Sequence, residues 1–265
     1  MTLNPGKPAN RDEDNDDDLP REVTPGGSEV IRHEANFAED PGCAYLDEAE
    51  MVAIQDHVRE HIGDVVDVMH EIASEGVHLD IVPVHVDDED GDFTFAVTMG
   101  MSAAPMNMPP MQLEPGEEDD FALPSPYAEL FIVLPGHWPV TQEALENPEN
   151  WWPFFLLKEC GRLPVLFDTF LGPGHTVPNG DPPEPLAPGC PFVGAVVVQG
   201  EIISEEFSRL ETEGKTIDFL FLAPLHADEM RYKLEHGYNA LLDLFEQKEM
   251  DPFELANPER PSVCS

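Results

Sequence analysis

Basic residues are scarce in this sequence. Thirteen lysines and arginines, only five of them lysines, face 54 aspartates and glutamates, for a formal net charge of −41. No basic stripe is available to meet phosphates, which argues against direct nucleic-acid binding. Cysteine is sparse as well. Cys43, Cys160, Cys190 and Cys264 stand far apart, with no C-x-x-C pair to signal zinc or a redox dithiol. They read as reduced thiols of a cytoplasmic protein. No run of about 18 apolar residues exists, so no membrane span is expected. The N-terminus turns acidic without an apolar stretch, so no signal peptide is expected either.

A chain of 265 residues that is 41% hydrophobic has ample material for a core. Its length fits one or two domains. The acids are spread along it. At low ionic strength such a surface repels itself. The Debye length falls from about 10 Å at 0.1 M to about 3 Å at 1 M, so molar salt screens that repulsion. The composition is that of a halophilic surface. The sharper alternative is a nucleic-acid mimic or a binder of a basic partner, which needs the charge gathered on one face.

Residues 1–43, with the block Arg11–Asp18, read as a disordered acidic arm. A single domain follows over 44–250, and 251–265 reads as a tail. A helix is predicted over 46–73 from Met51, Ile54, Val58, Ile62, Val65, Met69 and Ile72, at steps of three or four. Val77–Val86 and Asp92–Met101 are strands joined by the acidic turn Asp87–Gly91. Residues 102–126 are a surface loop. Ala128–Leu134 is apolar on both faces and so a central strand. A short helix is placed over 142–146. Trp151–Cys160 is a buried helix ended by Gly161. Residues 168–191 form a loop rich in Gly and Pro, and Phe192–Val198 and Ile217–Leu225 are strands. A last helix spans 227–247, with Gly237 inside it at a cost of about 1 kcal/mol. Strand runs without βαβ alternation predict an α+β fold, with a mixed, largely antiparallel sheet flanked by helices.

Three segments invite a chemical reading. His57-Val-Arg-Glu60-His61 matches H-x-x-E-H, which on a helix puts two imidazoles on one face to chelate a metal beside a glutamate base. A hydrolase needs a third ligand. Glu71 on the same predicted helix would lie about 15 Å further along the axis, so a structural role for His57 and His61 is favoured. The acidic turn fails as a calcium loop, because anchoring on Gly91 puts Val86 and Val97 where acids are required. Leu171–Gly180 is Gly-rich but lacks the ending of a phosphate loop. Its glycines supply φ > 0, and no nucleophile is spaced beside His175. Met99, Met101, Met106, Met108 and Met111 suit core filling first and an adaptable binding surface second.

The order and spacing of several segments resemble the suppressor of fused family. They are His57–Gly63, His70-Glu71, Val77–Ile81, Thr98–Ser102 with Pro105-Met106, Ala128–Pro135 with Trp138-Pro139, Leu171–Gly180, and Phe219-Leu220 through Glu229–Gly237. The resemblance covers about residues 46–247. It implies an α+β domain without known catalysis. Animal members hold a transcription-factor peptide and carry a second lobe for which this length leaves no room, so a Hedgehog role is not carried over. Some prokaryotic members act as immunity proteins that neutralise a toxin. The function expected is therefore a non-enzymatic, cytoplasmic protein-binding module that sequesters a protein partner and needs no cofactor. Gly172, Gly174, His175, Thr176 and Asn179, with Met101 and Met106, are the expected rim of its binding site. The alternatives are a metal-dependent hydrolase on His57, Glu60 and His61, and a salt-adapted structural subunit without a dedicated partner.

Overall fold

The computed structural model describes residues 22–32, 42–88, 91–109 and 123–265. The first elements are β1 (Cys43–Ala44), α1 (Glu48–His61), β2 (Gly76–Val77), β3 (Asp80–Asp88) and β4 (Gly91–Met99). Then come β5 (Ala128–Pro135), α2 (Pro148–Leu166), β6 (Thr176–Pro178) and β7 (Phe192–Gln199). The chain closes with β8 (Arg209–Glu211), β9 (Thr216–His226), α3 (Ala227–His236) and α4 (Tyr238–Gln247). One mixed sheet of seven strands runs in the order β3-β4-β5-β9-β7-β6, with β8 also on β9. Only β5 and β9 pair in parallel within it. The α+β expectation holds.

β5 explains the two-sided core. Leu130, Ile132 and Leu134 face the layer of Trp152, Leu156 and Leu157 from α2. Phe131 and Val133 face the layer of Ile54 and Val58 from α1, Met230 from α3, and Leu241 and Phe245 from α4. Alternate side chains point to opposite faces of a strand, so a sheet covered on both sides needs strands apolar on both. Among the described residues no helix is long and apolar enough to cross a membrane.

The structure differs from the sequence reading at several places. The first helix stops at His61. Asp47 caps its start by accepting from Glu50 N–H at 2.8 Å, with Glu50 reaching back to Asp47 N–H. Beyond Gly63 the chain runs along β3 instead, where Met69 and Ile81 exchange backbone hydrogen bonds at 2.8 and 3.2 Å. The stripe therefore breaks, and Val66 and Ile72 are 90% and 98% exposed. Helix α2 is longer than expected. Asn147 caps it by accepting from Glu149 N–H, Pro148 opens it, and Gly161 lies inside it, where it admits Leu79 rather than ending the helix. Within the expected loop 168–191, Thr176–Pro178 is a strand. The final helix is two helices, broken at Gly237, whose φ of 93° no other residue adopts readily. Residues 251–265 are no loose tail, because Leu255, Ala256 and Val263 are buried against the core.

Most of the expected acidic arm, 1–21 and 33–41, lies outside the described residues, as do Glu89, Asp90 and residues 110–122 of the surface loop. Within the arm, Glu22–Arg32 is described and structured. It folds into a tight turn, with Thr24 N–H donating to Ser28 O and Val30 N–H to Glu22 O, each at 2.8 Å.

Candidate functional site

The main path of the sheet ends at β3 and at β6. On β3 the edge is part-covered by Met69, and Pro83 removes one donor. On β6 the edge is short and differently built. β6 lies antiparallel to β7, with Thr176 opposite Val196 and Pro178 opposite Gly194. The flanking His175 C=O and Asn179 N–H are bonded to β7, through Val197 N–H and Val193 C=O at 2.8 Å each. Backbone bonding alternates along an antiparallel strand. Thr176 N–H, Thr176 C=O and Pro178 C=O therefore point away from the sheet.

The loop that leads into β6 is braced from several sides. Gly174 has φ +86°, and a Cβ there would meet the Tyr238 ring at 3.4 Å. Leu171 N–H donates to Met106 Sδ at 3.4 Å. The His175 ring meets Phe170 edge-on at 4.7 Å between centroids. Asn179 Nδ2 donates to Glu184 O and Pro185 O at 3.1 and 2.9 Å, which ties the exit of the strand. Gly172, Gly174, His175, Thr176 and Asn179 are thus brought together as one rim. Met101 and Met106 are not part of it. Both are buried in the layer under α2, so the expectation that they line a binding surface is corrected. Met101 opens the helical turn Met101–Ala103. That turn is held because the buried Glu129 carboxylate accepts from Gly100 N–H and Ser102 N–H at 3.0 Å each.

Beside this rim lies a residue that sequence reasoning did not single out. Lys233 on α3 is 1% exposed, and its Nζ donates to Ser28 Oγ at 3.0 Å. Among the described residues no carboxylate lies within ion-pair distance of it. Buried charges are ordinarily paired, so this is an anomaly in a chain with 54 acids. Burial lowers the pKa of its ammonium. Burial first, and then the Lys233 charge, lower that of His175. Burial pushes Tyr238 up to about 12. Thr176 Oγ1 is buried without a hydrogen-bond partner among the described residues. Residues opposed across an antiparallel pair share a face, so Thr176 points with Val196 toward the layer that holds Met230 of α3.

The turn 22–32 covers this corner. Gly26 N–H donates to Leu234 O at 2.8 Å. The two segments meet at glycines, and a Cβ on Gly26 would lie 2.3 Å from Gly237 N. At its other end Arg32 reaches Asp181, just past β6, at 3.5 Å with both side chains exposed.

The H-x-x-E-H segment sits elsewhere, on α1. His57 is buried, its Nε2 lies 3.0 Å from Phe207 O, and its ring packs on Phe207 and Phe219. Burial is the main cause of its lowered pKa. His61 packs edge-on against it at 4.6 Å, while Glu60 is exposed. Among the described residues no three His, Cys, Asp or Glu side chains are grouped to hold a metal ion. These residues do not support the hydrolase alternative. The pair serves packing.

The model of the family described as Suppressor of fused protein (SUFU) matches residues 75–261. Solved structures share the fold. The Sufu-Fu complex crystal structure is similar with a TM-score of 0.55 at 17% identity, over 81% of this chain and 92% of that chain. A putative SUFU homolog from Neisseria gonorrhoeae FA 1090 is similar at 0.55 and 14% identity, over 82% and 98%. Drosophila Suppressor of Fused is similar at 0.54 and 17% identity over 82% of this chain, which spans 54% of that longer one. No curated protein matches.

Proposed function

The chain belongs to the suppressor of fused family, and we propose that it is a non-enzymatic protein-binding regulator whose partner lays an extended segment on the β6 edge. The observation that supports this most is the juxtaposition of two unsatisfied features. Thr176 offers an outward backbone N–H and C=O, and Lys233 lies buried nearby with no carboxylate at ion-pair distance among the described residues. Strand addition supplies main-chain hydrogen bonds, and pockets beside the edge supply specificity. With only Thr176 and Pro178 to bond, most of the affinity must come from side chains around His175, Thr176 and Lys233. A similar structure holds a Sufu-Fu complex, which agrees with a role in binding protein. The turn 22–32 occupies the same corner and competes with the partner for it.

The partner class the resemblance suggests is a cognate toxin sequestered by an immunity protein. The test is capture from the native host in molar salt, followed by affinity measurement with His175→Ala and Thr176→Pro. A stoichiometric protein partner bound at least about tenfold less tightly by both folded variants, about 1.4 kcal/mol, is expected. Unchanged affinity in both removes the β6 edge from the proposal.

A further inference from the structure

Lys233 lacks the partner that its place on α3 would ordinarily give it. Glu229 stands four residues earlier, the spacing at which a glutamate and a lysine pair along a helix. Here the Glu229 carboxylate is engaged elsewhere. It accepts from Arg260 Nη1 and Nη2 at 2.7 and 2.8 Å, from His226 N–H at 2.9 Å and from Val263 N–H at 3.0 Å. Lys233 reaches instead to the turn 22–32, where Ser28 Oγ accepts from it at 3.0 Å. A hydroxyl gives an ammonium with three donors one hydrogen bond and no counter-charge.

The groups around this corner do not supply that charge. Burial pushes the Tyr238 phenol up to about 12, so it stays neutral and is no counter-ion. Burial and the Lys233 charge both favour the neutral form of His175. Thr176 Oγ1 is buried and has no hydrogen-bond partner among the described residues. Two buried donors at the β6 edge are therefore short of an anionic acceptor.

The strand geometry says where that acceptor enters, and this step rests on β6 as the docking edge. The outward N–H and C=O of Thr176 set one residue of an added strand directly against it. Residues opposed across a strand pair share a face. For Thr176 that is the face of Val196 and of Met230, one helical turn before Lys233 on α3. We propose that the partner residue paired with Thr176 is an aspartate or glutamate, whose side-chain carboxylate displaces Ser28 and accepts from both Lys233 Nζ and Thr176 Oγ1. Charge-assisted hydrogen bonds of this kind are roughly twice as strong as neutral ones. The remainder of the segment is uncharged or basic, because a chain of net charge −41 repels further acids. The pocket also rejects other segments. An apolar or basic residue at that position leaves the Lys233 ammonium buried and unpaired once Ser28 is displaced.

The probe is a displayed library of random nonapeptides, selected on the full-length chain in molar salt. Binders that protect the Thr176 amide from hydrogen exchange are sequenced. Aspartate or glutamate should dominate one position, and selection on folded Lys233→Met should show no acid there. The best peptide is then made with an amidated C-terminus. Replacing its acid by the corresponding amide should weaken binding to the wild-type chain roughly thirtyfold or more, the loss expected when one member of a buried, hydrogen-bonded charge pair is truncated. The same replacement should leave binding to Lys233→Met nearly unchanged. Peptides that protect Thr176 without an enriched acid, or that require a free C-terminal carboxylate, overturn the proposal and leave the docking edge in place. A selection in which no binder protects Thr176 removes the edge, and the pocket with it.

Discussion

Arg260 grips Glu229 by donating from Nη1 and Nη2 to its two carboxylate oxygens, at 2.7 and 2.8 Å, with both side chains buried. Arg260 also donates to Leu255 O at 2.8 Å and Pro224 O at 2.9 Å, and Glu229 accepts from Val263 N–H at 3.0 Å. The last fifteen residues are thereby fastened to the start of α3. Arg260→Ala leaves Glu229 buried without its counter-charge. Breaking such a pair costs about 3–5 kcal/mol. Urea titration should show the midpoint falling accordingly, and a loss under about 1 kcal/mol, the size of an ordinary substitution, would contradict the closing role.

Lys233→Met should behave in the opposite way. It keeps the stem volume and removes an ammonium whose burial is met by one hydroxyl. Such a replacement is neutral or stabilising. The expected outcome is an unchanged or higher melting temperature together with weaker partner binding. Clear destabilisation would show that Lys233 serves the fold.

Glu71 sets an acid limit on stability. Burial alone would raise its pKa, but Lys158, the Leu79 N–H and Arg162 outweigh it and hold the carboxyl down at about 2, against an ordinary 4.5. A carboxyl depressed in the folded state stabilises fully above its unfolded value. That contribution drains away as pH falls from about 4.5 toward about 2. Glu71→Gln should therefore lose less stability than the wild type across that window. Parallel denaturation curves for the two proteins would count against the ion-pair account.

The net charge of −41 makes stability depend on salt. Dialysis from molar salt to low millimolar ionic strength lengthens the Debye length from about 3 Å toward about 30 Å or more. The melting temperature should drop substantially. A salt-independent melting curve would show that screening is not what the acidic surface requires.

What could be read from the sequence was what local pattern controls. β5 and β9 are apolar on both faces and were identifiable as covered strands without a partner in view. Their parallel pairing had no local signal. The stripe from Met51 predicts α1 up to His61, then continues in spacing to Ile72 after the backbone has left the helix, because Ile81 offers Met69 a sheet partner. β6 is three residues long and includes a proline, so only its pairing with β7 makes it a strand. That the Gly-rich segment around His175 is a constrained loop was legible from its glycines. Lys233 was not, because its burial depends on a turn 205 residues earlier. Arg260 likewise owes its place to Glu229, 31 residues away.

The most direct test is backbone amide hydrogen exchange on the captured complex, compared with the free chain, in molar salt throughout. Partner addition on β6 should protect the Thr176 amide and its neighbours in 172–180, and should release protection at Gly26 and Val30 as the turn 22–32 is displaced. Protection confined to other surfaces, with residues 172–180 and 22–32 unchanged, would contradict the account.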